Sequence, residues 1–149
     1  PGSLDRAYPP FLLSPTAAAM GLAVPLLFTF NGLPLLPKTM DLKVTPHGNA
    51  AMKMPRAGAH MVMPNLVAAI PGVDAMATKM MKNMIKNKGV ASIEELRELA
   101  VEADVRMIGC QMTMDLFEYK KEDMIDGIEI GGAATYIEVA TKSHINLFI

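Results

Sequence analysis

The spacing of apolar and polar residues predicts helices that alternate with strands along the chain. No charged residue occurs between Ala7 and Pro37. Around this run we predict a helix over Leu4–Met20, which stops at Gly21, and a fully buried strand over Val24–Phe30, because strands covered on both faces carry uninterrupted apolar side chains. The helical stretch contains three prolines, Pro9, Pro10 and Pro15. Because proline removes a backbone donor and collides with the preceding turn, we expect this helix to be kinked or to begin late.

The same apolar run is long enough to cross a bilayer, which takes about twenty residues. Its interruption by the prolines, by Gly21 and by the pair Asn31 and Gly32 favours a soluble helix and strand instead, because such residues break a regular spanning helix. We therefore predict a soluble protein and keep membrane association as the weaker alternative.

A long excursion separates this first part from a helix with a clearer period. Residues 31–72 are rich in glycine, proline and methionine, and we predict little regular structure there. A helix is predicted over Val73–Lys88, with Gly89 as its stop and lysines on its outer face. Its inward stripe consists of Val73, Met76, Met80 and Met84, flanked by Ala77, Met81 and Ile85.

The next helix carries a start signal in its sequence. Ser92 and Glu95 have the spacing of a capping box, in which each side chain accepts a hydrogen bond from the other residue's backbone N–H. The predicted inward stripe of this helix consists of Ile93, Leu96, Leu99, Ala100 and Ala103.

The remaining sequence predicts three strands joined by helical segments. The strands are expected over Val105–Cys110, Gly127–Ile130 and Ile145–Ile149, with single helical turns in MTMDLF and KKEDMI and a helix over Gly131–Ser143. Strands that alternate with helices form mostly parallel sheets covered on both faces, so we predict one α/β domain over residues 1–149. Because the chain begins with a helix, we expect a first strand upstream of Pro1.

Composition narrows the range of partners and compartments. A formal net charge of −1 gives no reason to expect a nucleic-acid partner. With 14 methionines and no tryptophan, the core is expected to be aliphatic and rich in methionine. The single cysteine, Cys110, excludes an internal disulfide and fits a reducing, cytoplasmic compartment.

Cys110 is the candidate for chemistry because of its place in the predicted order. It ends a predicted strand and precedes a helical turn, whose free N–H groups stabilise an anion, so its pKa is expected to be lowered and its thiolate to be reactive. The opposite interpretation, a buried and inert thiol, stays open because free cysteine is among the most buried residue types. Turns after the neighbouring strands are expected at the same edge of the sheet. These turns contain Asn31, Gly32, Gly131 and Gly132.

Several segments together resemble a known family. They are DRAYPPFLLSPTAAAMGLAVPLLFTFNGLPLL, the region from IPGVDAMATKMMK to GGAATYIEVA that includes GCQMTMD, and INLFI. These sequences resemble the DsrE/DsrF-like family, in its DsrE-type, peroxiredoxin-labelled subgroup, over nearly the whole chain. The resemblance implies a three-layer α/β/α sandwich, a first strand before Pro1 and homo-oligomers. Two positions depart from the family pattern, because Asn31 stands where tryptophan is expected and Glu118 where glycine is expected.

For the chemistry, the resemblance implies a sulfur carrier or sulfurtransferase. Characterised relatives carry sulfane sulfur as a persulfide on a cysteine that matches Cys110. The implied partners are sulfur donors and acceptors, either proteins or small thiols, and no cofactor is expected. Gln111 and Thr113 are expected to donate hydrogen bonds to the persulfide, whereas Asp115 is expected to point away and cap the turn.

Three other functions stay open at this stage. A thiol peroxidase would need a resolving thiol from a partner, because the chain has no second cysteine. A copper(I) site would use soft ligands in the excursion, although their spacing alone fixes no geometry and we assign no metal site. Its candidate ligands are His47, Met52, Met54, His60, Met61 and Met63. The third alternative is an interaction module whose oligomer surface is its function.

Overall fold

The structure is a computed structural model that describes residues 3–44, 53–56, 59–62 and 70–149. The strands are β1 (Pro25–Phe28), β2 (Lys53–Arg56), β3 (Ala59–Val62), β4 (Arg106–Cys110) and β5 (Glu129–Gly131). The α-helices are α1 (Leu4–Ala19), α2 (Val73–Asn87), α3 (Ile93–Glu102), α4 (Gln111–Leu116) and α5 (Ala133–Ala140). Short 3-10 helices lie over Phe30–Leu35 and Lys121–Asp123.

Three of these strands form a parallel sheet in the order β1–β4–β5. β4 is the central strand. In the register of the sheet, Phe28 of β1 lies opposite Gly109 of β4, and Gly131 of β5 lies opposite Cys110 of β4. β2 and β3 form a separate antiparallel hairpin. The parallel sheet with its connecting helices confirms the predicted α/β class. Among the described helices, none has both the length and the apolar character needed to span a bilayer.

The first helix does not begin late, as its prolines had led us to expect. α1 extends from Leu4 to Ala19 with all three prolines inside it. Its buried residues recur every three or four positions, and Phe11 among them stacks on Phe28 of β1 with ring centroids 6.0 Å apart. The Tyr8 hydroxyl also donates to the Ala91 carbonyl at 3.0 Å. Tertiary contacts of this face therefore maintain the helix despite the missing proline N–H groups.

The first strand is shorter and less buried than predicted. β1 ends at Phe28, and this is its one buried residue, because β1 lies at an edge of the described sheet. The excursion that was expected to have little regular structure begins with a 3-10 helix and returns to the core. Its buried apolar residues are Leu33, Leu35, Leu36, Leu42 and Val44.

The inward face of α2 is rotated relative to the prediction. Met76 and Met80 are exposed, whereas Ala77 and Thr78 are buried. The Thr78 hydroxyl accepts a hydrogen bond from the Val44 N–H (3.0 Å), which anchors this face to the segment after β1. The exposed methionines provide apolar surface that self-association would bury, and the homo-oligomer stays a prediction.

α3 begins where its capping signal predicts, but its buried face differs. The Ser92 N–H donates to Glu95 Oε2 at 2.7 Å, and the Glu95 N–H donates to Ser92 Oγ at 3.2 Å, which confirms the capping box. Leu99 was expected to face inward and is instead 48% exposed. Arg97 is buried in the same helix, which the pattern of apolar residues did not predict.

The last predicted strand, over residues 145–149, does not form. α5 ends at Ala140, and the five final residues are exposed and belong to no strand. His144, just before this segment, is exposed as well. A strand needs a neighbour that satisfies its backbone groups, and none of the described segments pairs with this one.

Glu118 occupies a backbone conformation that favours glycine. After α4, Glu118 has φ 58°, and the Tyr119 N–H donates to the Met114 carbonyl at 2.9 Å, in the pattern of a Schellman cap. An L side chain is sterically penalised at this position. We therefore expect Glu118→Gly to raise the free energy of unfolding by roughly 1 kcal/mol, measured by urea denaturation.

A matched control places the same substitution inside a helix. Glu98 is exposed in the middle of α3, so Glu98→Gly should lower the free energy of unfolding by about 1 kcal/mol. Two variants that lose stability equally would contradict the assignment of strain to Glu118.

Candidate functional site

Cys110 lies where the central strand ends and the next helix begins. It is the last residue of β4 and the N-cap residue of α4, as the sequence predicted. The residue is only 6% exposed, which agrees equally with the alternative of a buried thiol. The groups around the sulfur must therefore decide between an inert and a reactive cysteine.

Polar groups from two parts of the chain surround the Cys110 sulfur. The hydroxyls of Thr113 and Thr29 interact with it, together with the backbone N–H groups of Thr113 and Met112. The N–H groups do not reach the geometry of a full side-chain cap.

These surroundings determine the protonation of the thiol. Burial raises the pKa of Cys110, because it disfavours the charged form, but hydrogen bonding outweighs this effect. The Thr113 hydroxyl is the largest of the lowering contributions, followed by the Thr113 N–H, the Thr29 hydroxyl and the Met112 N–H. The resulting pKa lies below the ordinary value of a cysteine, as predicted. Hydroxyl groups and helix N–H groups both contribute to this lowering of the pKa.

Thr29 is a residue of this site that the sequence analysis missed. It follows β1 directly, and the pairing of Phe28 with Gly109 brings it alongside Cys110. Its Oγ1 lies 3.1 Å from Oγ1 of Thr113. The available signal was a polar residue within the apolar run VPLLFTF, because a polar group in a buried segment requires a partner.

Phe30 adopts a strained backbone conformation next to the two threonines. Its φ of 41° is uncommon for any residue other than glycine. In this conformation its N–H donates to Thr113 Oγ1 at 3.2 Å. Its exposed ring meets the ring of Phe117 edge-on, with centroids 6.3 Å apart. Strain of this kind concentrates at functional sites, so this turn is a candidate part of the site.

The other predicted site residues lie at different positions around the thiol. Gly131 is opposite Cys110 in the sheet, and Gly132 is the N-cap residue of α5. Gln111 is exposed, and its amide donates to Asp115 Oδ1 at 2.7 Å. The Asp115 carboxylate is therefore engaged by Gln111 at the surface and does not cap the turn.

The turn after β1 adjoins the site, as expected for neighbouring parallel strands. Asn31 and Gly32 belong to the 3-10 helix that follows Thr29, and the Gly32 N–H donates to the Thr29 carbonyl at 2.8 Å. Gly32 is buried, whereas Asn31 is exposed. A binding role for either residue stays a prediction.

The candidate metal ligands of the excursion are not described at the level of side chains. His47, Met52 and Met63 lie outside the described residues. For the hairpin, the backbone register pairs Met54 with Met61 and Pro55 with His60. In the part of the chain that is described, no three side chains of histidine, cysteine, aspartate and glutamate gather into a metal-binding group. The copper interpretation stays a prediction of the sequence.

The fold is that of an α/β protein with a buried thiol beside two hydroxyl groups at the carboxyl end of a central parallel strand, the edge of the sheet where ligands of open α/β sheets bind. The family model of the DsrE/DsrF/DrsH-like family matches residues 1–148 of the chain. The chain therefore belongs to the DsrE/DsrF/DrsH-like family.

Two relatives show the same relationship over nearly the full length of both proteins. The chain is 56% identical over 148 residues to the sulfur carrier protein DsrE2 of Allochromatium vinosum, covering 99% of this chain and 92% of the relative. It is 31% identical over 151 residues to the uncharacterized protein YrkE of Bacillus subtilis, covering 99% of this chain and 91% of the relative.

Proposed function

We propose that this protein is a sulfur carrier that holds sulfane sulfur as a persulfide on Cys110 and passes it to an acceptor thiol. The observation that carries the proposal is the environment of the Cys110 sulfur, where hydrogen-bond donors lower the pKa of the thiol despite its burial. The thiolate is the nucleophile in sulfur exchange. The high identity to a relative named as a sulfur carrier supports the same function.

Both steps of the proposed reaction are thiol exchange. In loading, the Cys110 thiolate attacks the outer sulfur of a donor persulfide, and the donor thiolate leaves as the donor S–S bond breaks. In unloading, an acceptor thiolate attacks the outer sulfur held on Cys110, and the electron pair of the breaking bond returns to Sγ. Electrons balance in each step, so no external oxidant, reductant or cofactor takes part.

The donors and acceptors of this exchange are proteins or small thiols. The outer sulfur of the persulfide lies one S–S bond, about 2 Å, beyond Sγ, so an acceptor has no need to reach the buried Sγ itself. We place the protein in the cytoplasm, where reducing conditions keep Cys110 free of disulfides. A thiol peroxidase would require a resolving thiol from another molecule, since Cys110 is the single cysteine of the chain.

The proposal is tested by intact-mass spectrometry after incubation with glutathione persulfide. We expect the protein to gain the mass of one sulfur atom, and we expect a small thiol to remove it. The adduct should be absent in Cys110→Ser. Absence of any adduct on the unmodified sequence would refute the carrier function, and an adduct that persists in Cys110→Ser would refute the assignment to this residue.

A relocated thiol provides the matched control for the reactivity of the site. Glu98 is exposed in the middle of α3, so Glu98→Cys added to Cys110→Ser supplies an ordinary surface thiol. At neutral pH it should load more slowly than Cys110, because a smaller fraction of it is thiolate. Equal loading rates would show that the surroundings of Cys110 contribute nothing to the reaction.

A further inference from the structure

We propose that Thr29 works in the second half of the sulfur-transfer cycle: with Thr113, it donates to Cys110 Sγ and stabilises that sulfur as the leaving group when the outer sulfur departs. This inference rests on the proposed carrier function and assigns a role to a residue that the sequence analysis did not single out. Three observations on the turn after β1 carry it.

The first observation is the position of Thr29 in the sheet. The parallel pairing of β1 with β4 ends with Phe28 opposite Gly109. The residues that follow this pair, Thr29 and Cys110, therefore lie side by side. Thr113 is fully buried one helical turn beyond the cysteine. The 3.1 Å distance between the two Oγ1 atoms shows that both hydroxyls share one small space.

The second observation is the number of hydroxyl protons that Thr29 and Thr113 can donate. Thr113 Oγ1 already accepts from the Phe30 N–H at 3.2 Å, and a hydroxyl has one proton to donate. The 3.1 Å contact between the two hydroxyls is itself a hydrogen bond in which either oxygen can be the donor, so one proton is used within the pair and the other is left for the sulfur. A thiolate accepts this proton without competition, whereas a thiol brings a proton of its own that needs an acceptor in the same space. The pair therefore suits a negative sulfur better than a neutral one.

The third observation is the conformation that holds the pair in place. Phe30 has a positive φ, and in this conformation its N–H reaches the Thr113 oxygen. That hydrogen bond occupies one lone pair of Thr113 and leaves its proton for donation. A strained turn that is retained beside a reactive atom is typical of a preorganised site.

The donors assist one half-reaction more than the other, because they act on only one of the two sulfur atoms of the persulfide. The hydroxyls of Thr29 and Thr113 interact with Sγ, which becomes the inner sulfur of a persulfide. During unloading the S–S bond breaks and negative charge develops on Sγ, so these donors stabilise the departing thiolate and speed the step. During loading Sγ is the nucleophile, and the same donors reduce its intrinsic nucleophilicity. Loss of Thr29 should therefore slow unloading selectively.

The first test measures the reactivity of the Cys110 thiol before any sulfur is loaded onto it. Alkylation of Cys110 by iodoacetamide is followed against pH in the unmodified protein, Thr29→Val and Thr29→Ser. Thr29→Val removes one hydrogen bond to a charged group, so its alkylation below neutral pH should slow roughly tenfold. Thr29→Ser keeps the hydroxyl and should retain the rate. Thr16→Val is the control, since Thr16 is exposed on α1 and donates to the Leu12 carbonyl.

The second test separates the two half-reactions. At a pH where Cys110 is fully thiolate in every variant, Thr29→Val should load from glutathione persulfide as fast as the unmodified protein, or faster. Its release of sulfur to excess glutathione should be several-fold slower, with recovery in Thr29→Ser. Thermal unfolding of each variant checks that the fold is intact.

The possible outcomes distinguish this inference from the function on which it rests. An unchanged alkylation profile in Thr29→Val, or equal slowing of loading and unloading, would overturn the role of Thr29 while leaving the carrier function intact. If the unmodified protein takes up no sulfur, the carrier function fails, and the leaving-group role fails with it. A slowed release with unchanged loading supports the proposal.

Discussion

Replacement of Arg97 by alanine is expected to cost roughly 3 kcal/mol of the free energy of unfolding, because it leaves buried carbonyl groups without a donor. Arg97 is buried and donates to the backbone carbonyls of Leu35 (3.0 Å), Pro37 (2.6 Å) and Lys38 (3.4 Å). Burial lowers the pKa of its guanidinium, and the nearby Glu94 partly offsets this effect. Urea denaturation followed by circular dichroism measures the loss.

The carbonyls that Arg97 binds belong to the segment that follows the 3-10 helix after β1. The same segment pairs with the chain before β5 through the Lys38 N–H and the Asp123 carbonyl (2.9 Å). Arg97→Lys should recover only part of the loss, since one ammonium group cannot match the planar fork that spans three carbonyls.

Arg106 provides the matched control for this prediction. Its guanidinium forms two short hydrogen bonds to Glu129, at 2.7 Å and 2.6 Å, but both side chains are largely exposed. Exposed ion pairs contribute little because water already solvates both charges. Arg106→Ala should therefore cost much less than Arg97→Ala. Equal losses would mean that the buried carbonyls do not depend on Arg97.

The glycine pair before α5 supports the second prediction of a large effect. A Cβ at Gly131 would lie 2.8 Å from Thr135 Oγ1 and 2.9 Å from Ile108 Cγ2, closer than side-chain atoms can approach. Ile108 is buried in the central strand and cannot move freely. We expect Gly131→Ala to lower the free energy of unfolding by about 1–3 kcal/mol, because overpacking forces neighbours from their preferred positions. Thermal unfolding measures this loss.

Gly132, the adjacent residue, is the control. Its Cβ would meet nothing within 4 Å, and its φ of −158° suits any residue. Gly132→Ala should leave stability nearly unchanged. If both variants lose stability to the same extent, the close approach at Gly131 does not explain the glycine there.

Features that depend on neighbouring residues were predicted most accurately from the sequence. The capping box of Ser92 and Glu95 requires residues three apart, and both of its hydrogen bonds are present. The position of Cys110 at the end of β4 and the start of α4 followed from a short change of period, and it is confirmed. The family resemblance indicated glycine at position 118, and the structure supplies the reason in the positive φ of Glu118.

Features that depend on distant segments were predicted less well. The methionine period of α2 indicated a helix, but the contact between Val44 and Thr78 determined which face turned inward. The apolar segment 145–149 looked like a strand, yet strand formation depends on a partner that no described segment provides. Arg97 looked like a surface residue within an amphipathic helix until carbonyls about 60 positions away explained its burial.

By itself, the sequence determined the α/β class, the helix start at Ser92 and the place of the single cysteine at a strand end, because local spacing and local backbone preferences specify these features. Only the tertiary structure decided that Thr29 and Thr113 meet at the sulfur, although they are 84 positions apart in the chain. The pairing of β1 with β4 brings them together. A polar residue in an apolar run indicates that it needs a partner, but the sequence of neither segment specifies which distant group that partner is.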